Sequence, residues 1–212
     1  VNKTLKSLYL ADNKFSHLAG KQLGAAIGQN ETLETLDLSW NQFREGGAAK
    51  LLEGVKDNIG LKTLNLAFNA FNHGACKPTQ SLGTTLSGNS TLRSLDVSNN
   101  RLSDSDLFMV AKGIKKNETL EILKIGQNVV SYRGTAVLIK VVVSSENCRI
   151  TLLDMTDLPI AKDSLSDVEI LRSRGVKVVH GPVHQTETKF DSESPATKTD
   201  KKRNEKNLKK KR

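Results

Sequence analysis

With 212 residues and a formal net charge of +9, the chain is long enough for one good-sized domain and basic enough to attract anionic partners. Apolar residues make up 37% but aromatics only 4%, which excludes a globule built round large rings and suits layers of Leu, Ile, Val and Ala. No stretch approaches the ~20 apolar residues of a membrane helix, and no signal-peptide core opens the chain.

A block of the form Leu-x-x-Leu-x-Leu-x-x-Asn-x-apolar begins at Leu5 and runs through Leu8, Leu10 and Asn13 to Phe15. It restarts at Leu33, Leu61, Leu92 and Leu120, and a degenerate sixth copy at Ile150 keeps Leu153 and Met155 but has Leu158 in place of Asn. The starts are 28, 28, 31, 28 and 30 residues apart. A fixed period of this size marks a repeat architecture. Val1 precedes the first block with no capping element and no initiator Met, so the expectation is the C-terminal part of a longer chain.

Between the blocks runs a helical pattern. Leu23 and Ile27, Leu51 and Val55, Leu82 and Leu86, and Val110 and Ile114 are each four apart, on one helix face. A unit of strand, turn, helix and return loop places the next strand parallel to the first. The Asn that ends each strand (Asn13, Asn41, Asn69, Asn100, Asn128) is expected to stack into a ladder serving backbone groups where the chain leaves the sheet. The third unit carries an insertion, residues 73–80, with Pro78 suited to a first helical turn. After Ile160, Ser164 and Asp167 have capping-box spacing for a last helix that Gly175 would end. Residues Val176 to Val179 read as a terminal edge strand, with Lys177 blunting the edge.

The repeats therefore occupy residues 1–180, and residues 181–212 form a second segment with ten Lys or Arg against five Asp or Glu. That composition predicts a disordered basic tail. Its clusters, Lys201, Lys202 and Arg203, then Lys209, Lys210, Lys211 and Arg212, resemble a split nuclear-import signal and suit an anionic partner. A plain solubilising terminus is the simpler reading.

Cys76 and Cys148 lie more than two units apart, too far for the ~7 Å limit of a disulfide, and free thiols point to cytosol or nucleus. The glycosylation triplets at Asn2, Asn30, Asn89 and Asn117 each end one residue before a repeat Leu. They read as repeat consensus, with the Asn ending a helix in the left-handed conformation. His17, His73, His180 and His184 show no metal-ligand spacing, and no phosphate-cradling loop is present, so neither enzyme nor cofactor is predicted.

These units resemble the ribonuclease-inhibitor-like subfamily of leucine-rich repeats, over residues 1 to about 180. The phrasing of Asn30 to Leu33 and of Leu36 to Asn41 is most similar to the leucine-rich repeat-containing protein 74 group. The resemblance implies an α/β fold, a right-handed horseshoe with a parallel concave sheet and convex helices. It also implies protein binding, and, through one member that activates a small GTPase, a regulator of such a GTPase as an alternative.

Strand alternation sends one column to the open face, and the residue just before each ladder Asn gives a second. One is Tyr9, Asp37, Asn65, Asp96, Lys124 and Asp154; the other, just before the ladder Asn, is Asp12, Trp40, Phe68, Asn99, Gln127 and Asp157. Tyr9, Asp12, Asp37, Trp40, Asn65, Phe68 and Asp96 are the expected partner-binding residues. Trp40 and Phe68 would be anchors and the acids orienting charges; alternatively the rings merely pack on each other. Sequence-blind nucleic-acid binding through the tail is a third functional expectation.

Overall fold

Residues 2–71 and 77–185 are described by the computed structural model. Three-residue strands alternate with helices in the expected order. The first units run β1 (Ser7–Tyr9), α1 (His17–Gly28), β2 (Thr35–Asp37), α2 (Arg44–Asp57), β3 (Thr63–Asn65) and α3 (Lys77–Gly88). They continue with β4 (Ser94–Asp96), α4 (Asp104–Ile114), β5 (Ile122–Lys124), α5 (Tyr132–Ser144) and β6 (Leu152–Met155). The C-terminal cap holds β7 (Ile160–Ala161), a 3-10 turn (Lys162–Ser164), α6 (Leu165–Ser173), β8 (Lys177–His180) and β9 (Val183–His184).

Seven strands form one parallel sheet in the order β1-β2-β3-β4-β5-β6-β8. Equivalent repeat positions lie side by side: Leu8 pairs with Leu36, Leu36 with Leu64, Leu64 with Leu95, and Leu95 with Leu123. That register follows from burial, because a one-residue slip would turn the whole Leu set to water. All the helices lie on the Leu side. Strands sit ~4.8 Å apart and packed helices at roughly 8–10 Å, so the helical side is the longer arc and the sheet lines the inside.

The interior is one continuous layer. Leu36, Leu38, Leu51, Leu64, Leu66, Leu82, Leu95, Leu123 and Leu153 are fully buried, and Phe43 and Phe71 fill the apolar position after the ladder Asn. The first unit is less covered: Leu8 and Leu10 are half-buried, while Leu5 and Leu18 are exposed, because β1 and α1 have a packed neighbour on one side among the described residues.

The asparagine ladder forms as the spacing predicts. Asn41 Nδ2 donates to the Leu10, Leu38 and Ser39 carbonyls, and Asn69 Nδ2 to those of Leu38, Leu66 and Ala67. Oxygens answer in the other direction. Asn100 Oδ1 accepts from the Asn69 N–H, and Asn128 Oδ1 from the Asn100 and Leu102 N–H groups. Each side chain thus ties its own strand exit to the unit before it. Asn69 Oδ1 is a buried atom without a hydrogen-bond partner among the described residues.

The triplet asparagines do something the sequence did not suggest. They are not left-handed; Asn58, at the same position, has φ −72° and ψ 137°. They form a second ladder ahead of the strands. Asn89 Oδ1 accepts from the Thr91 and Leu92 N–H groups, and its Nδ2 donates to the Val55 and Asn58 carbonyls; Asn117 repeats this toward Leu86 and Asn89. Asn89 and Asn117 are buried, so these triplets serve packing in the folded chain.

Two further expectations meet a different outcome. Ser164 makes no capping hydrogen bond, because a 3-10 turn feeds α6 and the Asp167 carboxylate lies 3.6 Å from Lys140 Nζ. A capping box does form at α4, where Asp106 Oδ2 accepts from both Ser103 N and Ser103 Oγ. Strand pairing also continues past residue 180: β9 pairs in parallel with β7, Ile160 opposite Val183. Leu158, at the lost Asn position, is buried, and its carbonyl accepts from Gly181 N. Gly175, at φ +83°, ends α6 as expected, with the Val176 N–H reaching the Leu171 carbonyl. The core of the insertion (residues 72–76, with His73 and Cys76) and the basic clusters from Lys201 to Arg212 lie outside the described residues.

Close helix packing rests on glycines. A side chain added at Gly24 would run into the Lys50 carbonyl, one at Gly54 into the Gly24 carbonyl, and one at Gly113 would stand 2.6 Å from the Gly83 carbonyl. Backbones of neighbouring helices therefore touch at these positions, which shortens the outer arc.

Candidate partner-binding face

The sheet register brings both predicted columns together on the open face. Tyr9 stands opposite Asp37, Asp37 opposite Asn65, Asn65 opposite Asp96, and Asp96 opposite Lys124. The second column is joined by its own backbone bonds: Asp12 N donates to Ser39 O, Trp40 N to Ala67 O, Phe68 N to Ser98 O, and Asn99 N to Gly126 O. Asp12, Trp40, Phe68 and Asn99 are thus lateral neighbours along the rim.

Every member of that rim column is left-handed. The φ angles are +53° at Asp12, +54° at Trp40, +58° at Phe68, +53° at Asn99, +54° at Gln127 and +63° at Asp157. The turn after each strand demands this conformation, and Asn and Asp tolerate it best. Trp and Phe do not, and holding each there costs about 1–2 kcal/mol. The two rings stack with centroids 3.8 Å apart and planes 10° off parallel, yet Trp40 stays 56% exposed. The sequence reading left anchoring and mutual packing open. The rings do pack on each other, and a large aromatic surface remains in water all the same.

The acidic column has a structural duty the sequence did not reveal. Asp37 Oδ1 accepts from Ser39 N at 2.9 Å and Ser39 Oγ at 2.7 Å; Asp96 Oδ1 accepts from Ser98 N, Asn65 Oδ1 from Ala67 N, and Asp154 Oδ1 from Thr156 N and Oγ1. Each caps its strand exit with one oxygen. The second oxygen of Asp37 takes no hydrogen bond among the described residues, and that of Asp96 lies 3.8 Å from Lys124 Nζ. Tyr9 is exposed at the sheet edge, and its hydroxyl makes no hydrogen bond among the described residues.

Sequence reasoning missed two columns on the same sheet. Ser7, Thr35, Thr63 and Ser94 put small hydroxyls on the open face, followed by Ile122 and Leu152. Just ahead of the strands, Lys6, Glu34 and Lys62 form a three-charge ladder, with Glu34 2.9 Å from Lys6 Nζ and 2.7 Å from Lys62 Nζ; Arg93 and Glu121 pair at 2.6 Å. Hydrogen bonds from Lys62 and Lys6, with their charge, hold the Glu34 carboxyl down at about 2. Opposite charges exactly one period apart were the available signal.

Little on the described residues suggests chemistry. No group of three His, Cys, Asp or Glu there could hold a metal ion. His180 and His184 fall on different strands; the His184 ring stacks on Tyr132 at 4.9 Å, and His180 Nδ1 lies 2.7 Å from Gly181 O. Burial pushes the Cys148 thiol up from its ordinary value. No described helix is long and apolar enough to cross a membrane.

A leucine-rich-repeat family profile matches residues 29–52 and 88–111, two of the units whose strands and helices are described above. With the parallel sheet and alternating helices, this match gives those units a leucine-rich-repeat architecture. No curated protein sequence matches it. Among solved structures, an internalin from Listeria monocytogenes is similar over 86% of this chain and 82% of that one, at 13% identity and a TM-score of 0.23.

Proposed function

We propose that the chain is a non-enzymatic scaffold that binds another protein on its concave sheet, with Trp40 and Phe68 as anchors and Tyr9, Asp12, Asp37, Asn65 and Asp96 around them. The observation that carries this reading is the exposed ring stack held on left-handed backbone. Stability alone favours Asn or Asp at those two positions, as in the neighbouring units. Strain retained at an exposed, rigidly supported site is where binding is to be sought. Aromatic surface ringed by polar groups has the make-up of an interface hot spot. The 28-residue period with a full helix in each unit supports the ribonuclease-inhibitor-like branch of the repeat family. Within the proposal, the cluster from Lys201 to Arg212 is an electrostatic tether for an anionic surface.

The test replaces Trp40 and Phe68 by Asn, the residue that stands at this position as Asn99. The double variant keeps its circular dichroism and an unfolding midpoint no lower than that of the parent chain, while recovery of the leading partner in affinity purification falls about tenfold or more. Unchanged recovery with an intact fold would overturn the concave site.

A further inference from the structure

Charge is divided unevenly over this molecule. The chain carries +9 in total, yet the concave positions of β1 to β4 hold no Lys or Arg. Those positions are Ser7, Thr35, Thr63 and Ser94, then Tyr9, Asp37, Asn65 and Asp96, and at the rim Asp12, Trp40, Phe68 and Asn99. Three are carboxylates. Asp12 and Asp37 form no ion pair among the described residues, and the first cation along the column is Lys124, which marks where the acidic strip ends. The cations immediately ahead of these strands, Lys6, Lys62 and Arg93, are engaged by Glu34 and Glu121.

The ring stack lies inside this strip. Phe68, on the β3 side, covers one face of Trp40, which leaves the other face turned toward the β1 side, where Asp12 is its lateral neighbour. A free indole face beside unpaired carboxylates is matched by a planar cation: the guanidinium lies on the ring while its N–H groups reach the carboxylate oxygens. Arginine meets both demands at once, and lysine, a compact and strongly hydrated charge, meets them less well.

From this we infer that the occupant of the Trp40–Phe68 face is an arginine-containing basic segment of the partner protein. The inference rests on the concave docking face proposed above and adds the chemistry of what docks there. It also gives the acidic column a second duty: one oxygen caps the strand exit, and the other is held out on a rigid sheet.

The molecule supplies its own reporter, because Trp40 is the single tryptophan. The full chain is titrated with deca-arginine, deca-lysine and deca-glutamate peptides while Trp40 emission is followed at low and at high salt. Deca-arginine is expected to change the emission saturably at low salt, deca-lysine more weakly, and deca-glutamate not at all. The net positive charge of the chain works against general attraction of a polycation, so such a response requires a local site. A combined Asp12→Asn, Asp37→Asn and Asp96→Asn variant should lose about tenfold in affinity. Its fold should persist, because Asn65 and Asn99 already occupy these two kinds of position. A response equal for all three peptides, or one untouched by the triple variant, would overturn the assignment. So would the absence of any deca-arginine response in a chain whose partner recovery still depends on Trp40 and Phe68; that outcome leaves the docking face standing and removes only its charge preference.

Discussion

Replacing Asn100 by Ala removes an interior rung of the strand-exit ladder without touching the open face. The side chain is fully buried. Its Nδ2 donates to the Leu66 carbonyl at 2.8 Å and the Ser98 carbonyl at 3.2 Å, and its Oδ1 accepts from the Asn69 N–H at 2.8 Å. The consequences are unequal. The Leu66 carbonyl keeps Asn69 Nδ2 as a donor, and the Ser98 carbonyl keeps Phe68 N, so each loses about 0.5–1 kcal/mol. The Asn69 N–H is left buried and unpaired, at a cost of about 1–3 kcal/mol. The sum is about 3 kcal/mol. With a urea m-value of about 3 kcal/mol per molar, the unfolding midpoint followed by circular dichroism falls by about 1 M. Asn13→Ala is the control: Asn13 is exposed, and its Nδ2 reaches only Leu10 and Ala11 of its own unit. That variant should shift the midpoint by less than about 0.3 M, consistent with a surface change within ~0.5–1 kcal/mol. Equal shifts for Asn13 and Asn100 would refute the claim that the ladder works by joining units.

The remaining predictions use the same unfolding assay. Gly24→Ala drives a methyl into the Lys50 carbonyl and should cost about 2–3 kcal/mol, whereas Gly46→Ala, with no atom within 4 Å of the new methyl, should be neutral or stabilising by about 0.5–1 kcal/mol; similar losses at both would argue against backbone contact between α1 and α2. Gly175→Ala forces a side chain into φ +83° and should lower stability by about 1 kcal/mol, an effect that Gly175→Asn partly restores. For Glu34 the folded value is depressed to about 2, so its contribution is complete above the ordinary carboxylate range and fades as pH falls toward 2. Any stability gap between the wild-type chain and Glu34→Gln should therefore be present at pH 6, close by pH 2, and shrink in high salt because the ladder is exposed. A gap that grows on acidification would show the sign to be wrong.

Much of this architecture was legible from one chain. The 28-residue recurrence of Leu at strand spacing, followed by apolar pairs four apart, dictates strand, helix and parallel return, because no other arrangement buries both faces. The Asn after each strand could be given its ladder, since the carbonyls it serves have no other partner at that turn. The column from Tyr9 to Asp154 followed from alternation, and the rim column from its fixed place before the ladder Asn. Local periodicity was sufficient for each of these.

What the sequence could not supply depends on contacts between units. The second ladder, through Asn58, Asn89 and Asn117, was hidden because an Asn that reaches back one period looks the same as an Asn that ends its own helix. The role of Gly24, Gly54 and Gly113 appears only once neighbouring helices are placed, since a glycine on a single helix reads as a weakness. The Lys6–Glu34–Lys62 ladder needs three units side by side. At the rim, the 28-residue period put Trp40 and Phe68 next to each other, but stacked strands alone decided that both rings occupy left-handed backbone and that one indole face remains in water.

All of these contacts exist because successive units lie in register, so that positions one period apart become lateral neighbours. Cross-linking that joined residues half a period apart across adjacent strands would contradict this register.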